Sequence, residues 1–170
     1  MEDRLKHIFG VVNEWLKFAE AKNAALLVAV AALSKPVLDH FPDKAALPTA
    51  WWCCTVGCGF LFLSGFLCLG SFLPQLTFKW GASKRPLMAT DNLFYFGHIA
   101  HLSAFEYLEA LYQAEATPPK NKKLEADLAA QIVTNAAIAT NKYLHFKIAA
   151  WLALVGLILL GSAAKFQLDL

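Results

Sequence analysis

From Ala50 to Leu73 the chain reads AWWCCTVGCGFLFLSGFLCLGSFL, 24 residues without one charged side chain. As an α-helix this run is about 36 Å long, more than the roughly 30 Å hydrocarbon core of a bilayer. Such a helix rests either in the centre of a large protein or in lipid. The chain has 170 residues, of which 58% are hydrophobic and 16% charged; a soluble domain carries about 25% charged residues. A water-soluble fold of this size could not cover so much apolar surface, so lipid is the solvent this run expects. Trp51 and Trp52 at one end, and Trp80 beyond the other, have the placing of interfacial anchors, and Pro48 and Pro74 bracket the run.

A second span is expected over Ile148–Ala164, IAAWLALVGLILLGSAA, between Lys147 and Lys165, whose side chains can reach toward head groups. A third precedes both, from Asn23 to Ser34, NAALLVAVAALS, continued by Lys35, Pro36, Val37 and Leu38. Charge supports counting it. With three spans the N-terminal Arg4, Lys6, Lys17 and Lys22 share a side with the eight basic residues of segment 78–147, leaving only Lys35, Lys44 and Lys165 opposite. That asymmetry places the N-terminus and residues 78–147 in the cytoplasm.

The expected fold is an all-α integral membrane protein, with three transmembrane helices and a cytoplasmic helical hairpin. Its parts are an amphipathic N-terminal helix (1–22), two membrane helices with a short external loop (23–77), the hairpin (78–147), and a last span with a short tail (148–170). A cleavable signal peptide is not expected, because Glu2, Asp3, Glu14 and Glu20 interrupt the start. Cys53, Cys54, Cys58 and Cys68 all fall inside the central apolar run and read as small membrane-helix residues, not as a disulfide or zinc framework.

Leu5, Ile8, Phe9, Val12, Trp15, Leu16 and Ala19 recur at helical spacing. They suit an interfacial helix entering the first span or a helix packed on segment 78–147. Within that segment Thr90–Leu102 is aromatic-rich and begins irregularly or as a short helix. Ser103 with Glu106 forms a capping-box signature for a helix to about Ala116, and Thr117–Asn121 is the turn. From Leu124 no Pro or Gly appears before Gly156, so one helix of some forty residues, about 60 Å, runs on into the last span.

Few residues have the spacing of chemistry. His98 and His101 with Glu106 and Glu109 make an H-x-x-H…E-x-x-E array, although the Ser103 cap divides the two pairs. Asp127, Gln131 and Asn135 follow at i, i+4 as a polar row, facing a neighbouring helix or a ligand. No nucleophile elbow, P-loop or dinucleotide fingerprint occurs, and no acidic residue interrupts the spans as an ion-coupling carboxylate would. An enzyme is not expected: no catalytic residue, cofactor or resident metal is assigned. The net charge of +2 does not suit a nucleic-acid polymer as partner. Small residues at Cys53/Gly57, Cys54/Cys58 and Ala149/Ala153 permit close helix contacts, within one chain or between copies.

Three stretches together carry a family resemblance: AEAKNAALL (19–27), FGHIAHLSAFEYL (96–108) and DLAAQIVTNAAIATNKYLHFKIAAWL (127–152). In order and spacing they resemble the Pycsar transmembrane effector family of bacterial anti-phage defence. The resemblance implies a membrane effector that responds to a cyclic nucleotide made during infection and impairs the inner membrane. As ligand or activation candidates it singles out Lys22, Asn23, Phe96, Gly97, His98, Ser103, Glu106, Tyr107, Asp127, Gln131, Asn135 and Lys142, with Ile99 and Tyr143 in the same motifs. The segment of about seventy residues is too short for the cyclic-nucleotide-binding module that some relatives carry. The nucleotide therefore acts on the hairpin directly or through a sensor partner, and Lys84, Arg85, Lys120, Lys122 and Lys123 are either positive-inside charges or phosphate contacts. The expected partners are the bilayer, the nucleotide and further copies of the chain.

Two other readings share this topology. One is a non-enzymatic scaffold or regulatory subunit that docks a cytoplasmic partner; the other is a metal-dependent membrane enzyme built on the His/Glu array. A reporter fused after Ala116 is expected to be active only in the cytoplasm, and periplasmic activity would reverse the orientation.

Overall fold

A computed structural model describes residues 1–45, 47–73, 85–88, 90–116 and 123–168, with side chains up to Lys165. Five helices are formed by these residues: α1 (Glu2–Asp39), α2 (Pro48–Gly70), α3 (Phe96–Ile99), α4 (Ala104–Ala114) and α5 (Lys123–Leu168). Among the described residues there is no strand. The expected Thr117–Asn121 turn, Trp80, Pro74, Lys79, Lys84, Lys120 and Lys122, and the boundary at 77/78, lie outside the described residues.

The expectation of a long final helix is met and exceeded, since α5 has 46 residues. The N-terminal amphipathic segment and the first span are likewise one helix of 38 residues, because nothing between them breaks the hydrogen-bond ladder. α1 even passes Pro36, which removes one backbone bond to the preceding turn, before ending at Asp39. Three helices, α1, α2 and α5, are long and apolar enough to cross a membrane.

The chain divides into two compact units, Met1–Ala19 with Pro74–Tyr143 and Glu20–Leu73 with Leu144–Leu170, and α1 and α5 contribute to both. In the first unit Leu5, Ile8 and Val12 of α1 meet Phe96, Ile99 and Leu102 around α3, Tyr107 and Leu111 of α4, and a row from α5. That row is Ala129, Ile132, Ala136 and Ala139, and its three alanines let α5 come close. Leu5, Ile8 and Val12 are thus buried in a protein core, while Trp15 of the same face stays half-exposed and the helix runs on into the first span. A core is available for these three because α3, α4 and α5 bring their own apolar faces together at the same place.

In the second unit α2 and α5 run antiparallel in a regular register. Cys54 packs with Ala163, Gly57 lies against Gly156, and the Ser64 hydroxyl donates to the Ala149 carbonyl at 2.8 Å. A Cβ on Gly156 would stand 2.9 Å from the Gly57 carbonyl oxygen, so these two backbones touch. Small residues at such a crossing allow dispersion contacts over a long seam, the attraction left to helices where lipid is as apolar as they are. The small residues noted from sequence as contact sites are used here within one chain. About a quarter-turn round α2 from Ser64, Gly65 faces Leu27 and Val30 of α1 at 3.7 Å.

Trp51 and Trp52 meet edge to face at 4.9 Å at the start of α2. The Lys44 ammonium lies over both rings, at 4.7 and 5.8 Å from their centroids. A cation over amphipathic rings at the end of an apolar helix is the arrangement of an interfacial anchor.

Gly156→Ala is expected to destabilise the protein by about 1–3 kcal/mol, because the new methyl meets backbone that cannot move aside. Gly161→Ala, with nothing within 4 Å of its Cβ, is expected to be neutral or slightly stabilising. Thermal unfolding of both variants in nanodiscs checks the contrast.

Candidate functional site

The motif residues from 91 to 107 form a tightly tied loop and helix in the first unit. Arg85 reaches back to Asp91 with two hydrogen bonds, Nη1 to Oδ2 at 2.7 Å and Nη2 to Oδ1 at 2.6 Å. The Met88 amide donates to the same carboxylate at 2.9 Å, and the Asp91 side chain is only 4% exposed. The Arg85 guanidinium first, and the Met88 amide second, hold the Asp91 carboxyl well below the usual carboxylate range.

The next residue continues the bracing. The Asn92 side-chain oxygen accepts the Phe94 amide at 2.8 Å, an Asx turn. The Asn92 backbone amide donates to Nδ1 of His98, also at 2.8 Å. A neutral His98 therefore carries its proton on Nε2. Its Nδ1 also lies 3.6 Å from Asp91. Tyr95 folds over Gly97, where a Cβ would sit 2.6 Å from the tyrosine ring, so glycine is needed for that cover. The Tyr95 ring meets His98 edge on at 5.1 Å.

Phe96 points the other way, into the core. It stacks on Tyr143 of α5 at 5.1 Å with an interplanar angle of 18°, and touches Trp15 of α1 at 5.5 Å. Near that junction the Asn135 side-chain amide donates to the side-chain oxygen of Asn13 at 2.7 Å. The expected capping box is present: the Glu106 amide donates to Ser103 Oγ at 3.2 Å, and the Ser103 amide to the Glu106 carboxylate at 2.8 Å. One turn on, the buried Tyr107 hydroxyl donates to the Leu93 carbonyl at 3.0 Å, and burial pushes its phenol far up.

The box thus spends its polar groups on holding itself in shape. His98 is engaged by the Asn92 amide, and Glu106 by the α4 cap. No group of three or more His, Cys, Asp or Glu side chains able to hold a metal ion occurs among the described residues. Of the polar row on α5, only Asn135 turns inward to a neighbouring helix; Asp127 and Gln131 are exposed. Lys142 is buried. Lys22 and Asn23 belong to the second unit, where Asn23 is fully buried and the Lys22 ammonium lies over the Phe146 ring at 5.5 Å.

Sequence reasoning passed over Asp91, Asn92, Tyr95 and Asn13. The Asp-Asn pair ahead of an aromatic run is a turn signal that points to the loop, whereas nothing local ties Arg85 to Asp91. It also missed the foot of the unit, where Tyr112 donates to the buried Glu125 and Arg4 pairs with Glu115 at 2.8 Å.

These features define an all-helical, multi-pass membrane protein whose polar segment is organised by an aromatic, hydrogen-bonded box. Residues 4–167 match the family described as the Pycsar effector protein domain, and the chain belongs to that family. Membership makes it an effector of cyclic-nucleotide-signalled anti-phage defence. Searches of curated proteins and of solved structures give no significant match.

Because Asp91 has a lower pKa folded than unfolded, its stabilising effect is complete above about pH 5 and drains away as pH falls past the unfolded value toward the folded one. Asp91→Asn is expected to lower the melting temperature at pH 7 and to narrow the gap to the unsubstituted protein on acidification. A gap that stays constant between pH 7 and pH 3 would remove the Arg85–Asp91 pair as the cause.

Proposed function

We propose that the protein impairs the integrity of the bacterial inner membrane when a cyclic nucleotide signals infection, and that it does so without catalysing a reaction. In this reading the N-terminus and residues 78–147 lie in the cytoplasm, with most of the basic residues. The observation that carries the proposal is the continuity of α1 and α5. Each begins in the unit that holds the motif box and ends as an apolar, membrane-length helix. A nucleotide that alters the Trp15–Phe96–Tyr143 contact, directly or through a sensor partner, shifts α1 against α5. Rigid helices carry such a shift along their length. Within the spans the shift acts on the α2–α5 seam at Gly57 and Gly156, and copies of the chain assemble as the lipid seal opens.

The exposed Asp127 and Gln131 favour a second reading, in which that face of α5 docks a cytoplasmic partner and the chain is a scaffold or regulatory subunit.

Dye release from liposomes containing the purified protein, with and without a panel of cyclic mono- and oligonucleotides, separates these readings. Release triggered by one nucleotide is the expected outcome, and Phe96→Ala is expected to abolish it. Silence across the panel, with and without cell extract from infected bacteria, would favour the scaffold.

A further inference from the structure

Three large rings of the first unit remain on its surface although they belong to one aromatic cluster. Trp15 is 39% exposed, Phe18 51% and Tyr95 41%. They are joined through contacts: Trp15 to Phe18 at 6.4 Å, Trp15 to the buried Phe96 at 5.5 Å, and Phe96 to Tyr95 at 4.8 Å. We infer that this surface of Trp15, Phe18 and Tyr95 is a lipid-binding face, seated at the outer edge of the head-group layer of the membrane that α1 enters.

Helix register gives the depth. Phe18 precedes Asn23, where the uncharged run of α1 starts, by five residues, about 7.5 Å of helix. Tyr143, stacked on Phe96, precedes Ile148 on α5 by the same five residues, again about 7.5 Å. The head-group layer is about 5–7.5 Å thick on each side of the hydrocarbon core. Along α1, Phe18 thus stands at the outer edge of the layer, and Trp15, eight residues or about 12 Å from Asn23, just beyond it. Half-exposed Trp and Tyr rings are stable at that boundary, and an exposed Phe ring is costly in bulk water. Lys17, exposed and next to Phe18 in sequence, supplies a cation for phosphates.

The same rings are poorly arranged to hold a nucleobase. Trp15 meets Phe18 at 70° and Phe96 at 41°, and Tyr95 meets Phe96 at 55°, so none of these pairs offers parallel faces. The parallel pair is Phe96 with Tyr143, and Phe96 is buried. The inference rests on membrane insertion alone and stands whether or not nucleotide gates the protein.

The test is spin-label accessibility in the full chain, with the four native cysteines changed to Ala and the protein in vesicles of mixed zwitterionic and anionic phospholipid. Nitroxides are placed through Phe18→Cys and Tyr95→Cys separately, with Gln113→Cys on the exposed face of α4 as the aqueous reference. Circular dichroism selects the folded variants, and either of the two sites decides the matter. Accessibility to a water-soluble nickel chelate several-fold lower at the test site than at 113, with oxygen accessibility raised, is the expected result. A test site as open to the chelate as position 113 would overturn the lipid face. So would a site that is water-like alone and immobilised only when a cyclic nucleotide is added, which would make the rings a base platform.

Discussion

A helix that passes from water into lipid must keep its own hydrogen-bond ladder unbroken while the partner of its buried face changes. The rest of this structure follows from meeting that constraint twice, in α1 and α5. In the first unit both helices offer rows that close on α3 and α4: Leu5, Ile8 and Val12 from α1, and Ala129, Ile132, Ala136 and Ala139 from α5. There the hydrophobic effect drives the packing. In the second unit water no longer drives association, and contact depends on close approach and on polar groups with no better partner. The Gly57–Gly156 backbone contact and the Ser64–Ala149 hydrogen bond supply both.

The box between residues 91 and 107 meets a different need. A short loop carrying Phe96 into a core made by two long helices must not drift, because Phe96 is the piece that touches both Trp15 and Tyr143. Arg85, Asp91, Asn92 and His98 restrain the loop on its polar side, and Tyr95 over Gly97 restrains it sterically. The Ser103–Glu106 box and the Tyr107–Leu93 bond then tie the loop to α4. A family motif that looks from its residue types like a ligand set is thus occupied largely with its own geometry. A signal that loosened any of these ties would act on the helix junction.

Much of this was legible in the sequence where the physics is local. The charge-free run from Ala50 to Leu73, the absence of Pro and Gly after Leu124, and the Ser103/Glu106 spacing led directly to α2, α5 and the start of α4. Each depends on a periodicity or a cap that a stretch of chain satisfies by itself. The role of residues 5–12 stayed open because an amphipathic face records that it is apolar, not whether lipid or protein covers it. The Asp127–Gln131–Asn135 row reads as one stripe by spacing, yet only Asn135 has a side-chain partner on a neighbouring helix, Asn13.

The sequence by itself determined an all-helical membrane protein with three spans, since hydropathy and backbone self-satisfaction leave a chain of this composition no other solution. Tertiary structure alone decided which small residues make the seam, which aromatic ring becomes the junction, and that Arg85 restrains Asp91. The seam and the junction are matters of distance between segments far apart in the chain, and the Arg85–Asp91 pair, six positions apart, follows no helix or strand spacing. Asn13 meets Asn135 across 122 positions and Ser64 meets Ala149 across 85, and no pattern within either segment encodes the identity of the other.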